Sequence, residues 1–194
     1  MPKVGVEPIR KAALVNATIA EVGRAGSLDV TVSQIAKRAG MSSALAHHYF
    51  GDKESLFLAA MRHILTLYGA EVRGALVMAE GPKGRLQAII RASFTAANFR
   101  GEVVSAWLNF YVMAQTVPEA RRLLGIYQRR LRSNLLSDLR GLVGKNALRA
   151  ADSLGAIIDG VYLREALGQS QPDRAAAVAL VLDALEAELA RGKA

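Results

Sequence analysis

A chain of 194 residues with a formal net charge of +8 and 52% hydrophobic residues can build a substantial core, as one large domain or a small one joined to a mid-sized one. It contains no cysteine, which excludes disulfides, thiolate metal sites and cysteine nucleophiles and fits a reducing cytoplasm. The positive charge suits a polyanion, either nucleic acid or an anionic membrane surface.

The opening Met1-Pro2-Lys3-Val4-Gly5 runs into Glu7, Arg10 and Lys11 with no apolar stretch behind it, so no signal peptide is expected. Apolar runs such as Ala175 to Leu182 fall far short of the roughly 20 residues that a membrane span requires. A cytoplasmic protein without a membrane partner is the expectation. Strand-like alternation is nearly absent and helical punctuation is frequent. Pro8 suits the first turn of a helix that repeats Ile9, Ala12/Ala13, Asn16/Ala17 and Ala20 and ends by Gly23 or Gly26. Thr31 with Gln34 forms a capping box for a short helix that stops at Gly40. Ser42 can cap a third helix, about Ser43 to Phe50, and Asp52 a fourth that carries Leu56, Phe57, Met61, Ile64, Leu65, Tyr68 and Val72.

Glu80-Gly81-Pro82-Lys83-Gly84 breaks the pattern. Helices are then expected over Leu86 to Phe99, Glu102 to Ala114, Pro118 to Val143, Ala147 to Leu167 and Pro172 to Ala190. The fold class is therefore all-α. Three short helices make an N-terminal helix-turn-helix domain, residues 1–55, and the longer ones a helical body, residues 56–194, whose expected roles in dimerisation and ligand binding rest on the residues and the resemblance given below.

The helix-turn-helix reading rests on two short helices joined by Ala39-Gly40-Met41-Ser42, a glycine ending the first and a serine opening the second. Ile35, Ala36 and Ala39 with Met41, Ala46 and Phe50 supply apolar faces that lock the pair. Ser43, Ala44 and His47 are left facing outward, small enough for close approach to base edges, with a hydrogen bond available from His47. His47, His48 and His63 do not converge as metal ligands, because adjacent helical residues diverge and no carboxylate pair completes a set. No metal is expected. Arg121, Arg122, Arg129, Arg130, Arg132 and Arg140 read as a solvated helix face rather than a second DNA site.

The last two helices carry little polar face. Apolar residues go almost all the way round Ala175 to Leu189, and Gly155 and Gly160 allow close helix approach. Pairing with their copies in a homodimer resolves this, through Leu154, Ile158, Val161, Leu167, Val178, Val181, Leu182 and Leu185. A dimer also sets two recognition helices about 34–36 Å apart on double-stranded DNA. Within the body, Trp107 and Tyr111 share a helix face with Phe110 beside them, and Asp159 and Tyr162 lie three apart in an otherwise apolar helix. Rings plus a carboxylate suit a quaternary ammonium ion; rings at helical spacing equally suit a plain core, with Asp159 at a bend near Gly160. An all-helical enzyme finds no nucleophile–base set, phosphate loop or metal spacing, so catalytic residues and a cofactor are not expected. A peripheral membrane protein would need an exposed amphipathic helix with aromatics opposite its basic face.

The run Ser42-Ser43-Ala44-Leu45-Ala46-His47-His48-Tyr49-Phe50-Gly51-Asp52-Lys53-Glu54-Ser55-Leu56 resembles the signature of the TetR family of bacterial regulators. That resemblance implies that Tyr49 and Lys53 clamp phosphates, that Thr31 and Ser33 approach the DNA backbone, and that His48 packs or touches phosphate. Lys53 also stands at a helix start, where free N–H groups favour an anion. The opening Pro2-Lys3-Val4-Gly5-x-x-Pro8-Ile9-Arg10, Ser105 to Phe110, Arg129 to Leu135 and Ala156 to Arg164 look like the BetI-type branch, choline-responsive repressors of glycine-betaine synthesis. The resemblance implies an operator-bound repressor of choline-uptake and betaine-synthesis genes, released when choline or betaine aldehyde enters the body. By it the inducer sits against Trp107, with Phe110 or Tyr111, Tyr162 and Asp159. Two departures bear on function. Ser42 to His47 differs from the enterobacterial recognition helix, and Tyr111 and Tyr162 stand where other large side chains are expected. A TetR-type repressor of an efflux pump or another pathway would keep every DNA residue and change only the ligand.

Overall fold

In the computed structural model, which describes residues 5–168 and 170–192, nine α-helices and one short 3-10 turn account for the regular structure. The opening Pro2-Lys3-Val4 stretch thus lies outside the described residues. The head comprises α1 (Val6–Ala25), α2 (Val32–Arg38) and α3 (Ser43–Phe50). The body comprises α4 (Lys53–Val77), α5 (Gly81–Ser93), α6 (Gly101–Thr116), α7 (Pro118–Val143), α8 (Ala147–Leu167) and α9 (Arg174–Arg191). No described residue is in a strand.

Local chemistry sets most boundaries. Gly26 takes a left-handed φ of 67° and returns its N–H to Val22 at the end of α1. Thr31 and Gln34 close the expected capping box on α2. Ser42, Asp52 and Asp173 cap α3, α4 and α9 through their side chains.

One expectation is corrected. The helix placed at Leu86 to Phe99 runs from Gly81 to Ser93: Pro82 sits in its first turn, where a missing N–H costs nothing, so the Gly-Pro pair starts the helix. Residues 94–100 are a turn pinned by side chains, in which Asn98 Nδ2 donates to Ala92 O at 2.9 Å and to Glu71 Oε2 at 2.6 Å. Along the α1 repeat Ile9 is 70% exposed and Ala17 is buried, while Leu14, Ile19 and Val22, with more apolar area, take the core side.

Head and body meet along α1 and α6 and along the start of α4. Gly23 on α1 lies directly on the α6 backbone: a Cβ there would stand 2.5 Å from Glu102 Cα. Nearby, Asn109 Nδ2 donates to Ser105 O at 2.9 Å and reaches Gly26 O at 3.4 Å. In the body α8 packs on α6, α7 and α9.

That packing revises the expected dimer seam. Leu154, Ile158, Val161, Val181 and Leu185 are buried within the single chain, and Val178 and Leu182 are partly buried against the same core. Only Leu167, 68% exposed, looks outward. The reason is that α5, α6 and α7 already cover one stripe of α8 and α9. Their outer stripes present Ala156, Gly160, Leu163 and Leu167 on α8 and Ala176, Leu180 and Ala187 on α9. A Cβ on Gly155 or Gly160 would meet nothing within 4 Å, so neither glycine serves a close approach inside the chain.

Candidate DNA-binding face and ligand cavity

Ile35, Ala36 and Ala46 are fully buried between α2 and α3, while Ala39, Met41 and Phe50 are half-buried around them. The pair is thus locked as its sequence required. Glu21 on α1 reinforces it: it pairs with Arg38 on α2 and, at 2.7 Å, with Arg24. These hydrogen bonds, that to Arg38 first, hold its carboxyl below the usual range.

The outer side leaves every expected DNA residue at least partly exposed. Thr31, Ser33, Ser42, Ala44, His47, His48 and Lys53 are exposed; Ser43 and Tyr49 are intermediate. Several also have local tasks. Thr31 Oγ1 accepts from Gln34 N at 3.1 Å and donates to Gln34 Oε1 at 2.9 Å, and Ser42 Oγ accepts from Leu45 N at 3.3 Å, so both are caps. His47 Nδ1 lies 2.6 Å from Gly51 O. A carbonyl only accepts, so Nδ1 carries the proton and a neutral His47 presents Nε2 as an acceptor. Lys53 Nζ donates to Leu28 O at 2.9 Å, tying the start of α4 to the loop before α2. Two cations that the motif did not single out stand here as well. Arg10 lines a shallow hollow with Val6, Glu7 and Tyr49, and the Lys11 ammonium lies 5.6 Å from the Tyr49 ring centre while paired with Glu7 at 2.7 Å. One helical turn of α1 therefore adds positive charge beside Tyr49. Among the described residues no group of His, Asp and Glu is arranged to hold a metal ion, and no helix is long and apolar enough to cross a membrane.

In the body, Trp107 is the hub. Its ring centre lies 4.7 Å from Tyr127, 5.6 Å from Tyr111, and 5.8 Å from both Tyr162 and Phe110. Tyr127 also meets Tyr68 edge-on at 5.9 Å. A small, partly enclosed cavity lies among Ile64, Tyr68, Ser93, Asn98, Trp107, Tyr127 and Tyr162. It measures about 10 Å³, room for about one water molecule. Trp107 and Tyr162, two of the residues expected against the inducer, line it. Phe110 does not: it is completely buried and backs the indole edge-on, one of the core aromatics. Phe94 and Phe99 are core too, 4.9 Å apart and both against Tyr162.

Tyr111 and Asp159 stand beside this cavity. Asp159 Oδ1 accepts from Tyr127 Oη at 3.0 Å and from Tyr111 Oη at 3.1 Å. Burial raises the Asp159 pKa, against the lowering effect of hydrogen bonds from Tyr127, Tyr111 and Gln128. Burial likewise pushes Tyr68 up to about 12 and keeps Tyr111, Tyr127 and Tyr162 protonated. On its other side Asp159 borders an open groove of about 410 Å³ between α7 and α8, which also takes in Gly125, Arg129, Arg132 and Gly155. The helix runs unbroken through Gly160, so Asp159 caps no bend. Tyr68 and Tyr127 had no place in the expected cage. Tyr127 sits among α7 arginines, which are solvent-exposed as their pattern suggested.

The chain is similar to two family models, "Bacterial regulatory proteins, tetR family" over residues 14–60 and "BetI-type transcriptional repressor, C-terminal" over residues 82–190. It is 50% identical over 190 residues to the HTH-type transcriptional regulator BetI of Brucella suis biovar 1, covering 97% of this chain and 96% of that one. The regulator of the same description from Agrobacterium fabrum is 47% identical, covering 97% and 92%. Among solved structures, a transcriptional regulator of Pseudomonas aeruginosa PAO1 superposes with a TM-score of 0.76 at 28% identity, covering 94% of this chain and 91% of that one. A Saccharomonospora viridis regulator crystallised in complex with choline superposes with a TM-score of 0.79 at 20% identity, covering 91% and 95%.

Proposed function

Because the chain belongs to the TetR family of bacterial regulatory proteins, as a repressor with a BetI-type C-terminal region, we propose that choline or betaine aldehyde is its inducer. The observation that carries this is the convergence of Trp107, Tyr127, Tyr111 and Tyr162 on a carboxylate, Asp159, that has tyrosine hydroxyls rather than a cation as hydrogen-bond partners. A quaternary ammonium ion has no N–H to donate. Ring faces and one negative charge are what such an ion can use. The choline complex of the Saccharomonospora viridis regulator, a protein of the same fold, supports the reading.

In this proposal the head, residues 1–55, grips operator DNA as half of a homodimer, and the genes under control serve choline uptake and glycine-betaine synthesis. Ser43, Ala44 and His47 face base edges; Thr31, Ser33, Ser42, His48, Tyr49 and Lys53 face the backbone. The body, residues 56–194, senses the ligand and dimerises through the outer stripes of α8 and α9. The cavity has room for about one water, so a trimethylammonium head fits only when α4, α6, α7 and α8 move apart. Ligand therefore favours the opened body by its differential affinity. Both α4, which starts at Lys53, and α6, which rests on Gly23, pass that movement to the head.

The test is protection of operator DNA with and without choline. Release at choline concentrations that leave unrelated DNA binding intact supports the proposal. Release by cationic dyes or acyl compounds and not by choline assigns the site to another effector.

A further inference from the structure

Resting on the choline reading above, we infer that Tyr68 and Ser93 make the body selective for a quaternary ammonium alcohol by accepting a hydrogen bond from its hydroxyl. The inference comes from counting protons at the polar end of the cavity, which is formed by Ser93, Asn98 and Tyr68.

The side-chain donors of these three residues are committed. Ser93 Oγ donates to Ile89 O at 3.1 Å, one turn back along α5. Tyr68 Oη lies 3.3 Å from Ser93 Oγ; with the serine proton spent on Ile89, the tyrosine is the donor in that pair. Asn98 Nδ2 has two hydrogens, one held by Glu71 Oε2 at 2.6 Å and one by Ala92 O at 2.9 Å. Tyr162 Oη, the remaining hydroxyl nearby, donates to Ser93 O at 2.5 Å, with Asn98 O also 3.1 Å away.

What remains on Tyr68 and Ser93 is acceptor capacity: lone pairs on Oη and Oγ. A ligand hydroxyl can donate to them. A carboxylate cannot, and it would also bring a second negative charge into a body whose own carboxylate, Asp159, is already raised by burial. The rings select the cation and the hydroxyl pair selects the alcohol. The repressor would then respond to the alcohol and disregard the carboxylate made from it by oxidation.

The experiment measures binding to the full-length protein by calorimetry. Its probes are choline, the size-matched (2-fluoroethyl)trimethylammonium, tetramethylammonium and glycine betaine. Each is titrated into wild type, Tyr68→Phe and Ser93→Ala, with circular dichroism melts to verify folding. Choline should bind wild type about tenfold more tightly than the fluoro analogue, the scale of one net hydrogen bond. That preference should vanish in Tyr68→Phe and shrink in Ser93→Ala, with tetramethylammonium affinity unchanged. Glycine betaine should bind wild type weakest of the four. Equal affinity of wild type for choline and its fluoro analogue overturns the inference while leaving the cation reading intact. So does a preference that both variants keep. If no quaternary ammonium binds wild type, it is the choline reading itself that fails. Should Tyr68→Phe not fold, Ser93→Ala decides alone, since it removes one acceptor and leaves every ring in place.

Discussion

The Tyr127 hydroxyl donates to Asp159 Oδ1 at 3.0 Å, across the packing of α7 on α8 and onto the same oxygen that accepts from Tyr111. Two phenols from different helices thus hold one carboxylate in place beside Trp107. Removing either hydroxyl leaves the ring but loosens the charge. Tyr127→Phe should weaken choline binding by roughly three- to tenfold, the scale of one net hydrogen bond. Trp107→Ala should abolish induction while operator binding persists, giving a repressor that choline cannot release. Gel mobility shifts across a choline titration separate the two. Wild-type release by both Trp107→Ala and Asp159→Asn would mean these aromatics are only core.

Acid should weaken the ligand before it harms the DNA face. Burial places the folded Asp159 pKa above its ordinary value of 3.8. Between the two values the folded chain holds a proton that the unfolded chain has lost, so stability falls as pH rises through that window and levels off above it. Choline affinity runs the other way, rising with pH as the carboxylate ionises. Asp159→Asn should flatten both profiles. Calorimetric titrations and melts over a pH series check this, and an unchanged affinity profile in Asp159→Asn would assign the titration to another group.

Lys53→Ala should weaken operator and unrelated DNA alike, because phosphate contacts carry no sequence information, and lower the salt slope by about one. Since Lys53 also holds Leu28 O, a melt must accompany the binding curve. The double variant Ser43→Ala with His47→Ala should lose discrimination instead, by about 1–3 kcal/mol per good base contact. Fluorescence anisotropy on operator and scrambled duplexes gives both quantities. A double variant with the wild-type ratio of affinities would place base readout elsewhere.

The buried and outward stripes of α8 and α9 should answer differently to charge. Val181→Glu places an unpaired carboxylate in the core of a single chain and should unfold it, losing several kcal/mol. Leu163→Glu or Leu167→Glu should leave the fold intact and split the dimer. Sedimentation velocity alongside melts reads both effects. Dimers retained in the double variant Leu163→Glu with Leu167→Glu would rule out this seam.

The head was readable because its punctuation is chemical: Thr31 with Gln34, Gly40, Ser42 and Asp52 each act within a few residues of themselves. The body was readable only in part. Periodicity identifies an apolar stripe, but not which neighbour covers it; Leu154 and Val181 were therefore assigned to a partner when their own chain buries them. Tyr127 hid behind its charged neighbours, although Tyr127, Leu131, Leu135 and Leu139 share the buried side of α7. Phe110 and Trp107 are three apart and look equivalent in sequence, yet only the indole reaches the cavity. Which ring lines a space and which backs it is decided by helices distant in the chain.

Gly23 leaves no slack between α1 and Glu102. In the proposed response a joint this tight works less like a hinge than like a gear tooth, turning the head by whatever amount α6 moves. Its fit therefore fixes the set point of the response. A methyl added there would push α1 and α6 apart before any inducer arrived, shifting the resting balance between gripping and released forms. The midpoint of the dose–response curve would move while the chemistry of the sensing pocket and of the DNA face stayed the same. Variation at that one position could retune how much inducer a cell must accumulate before its genes switch on.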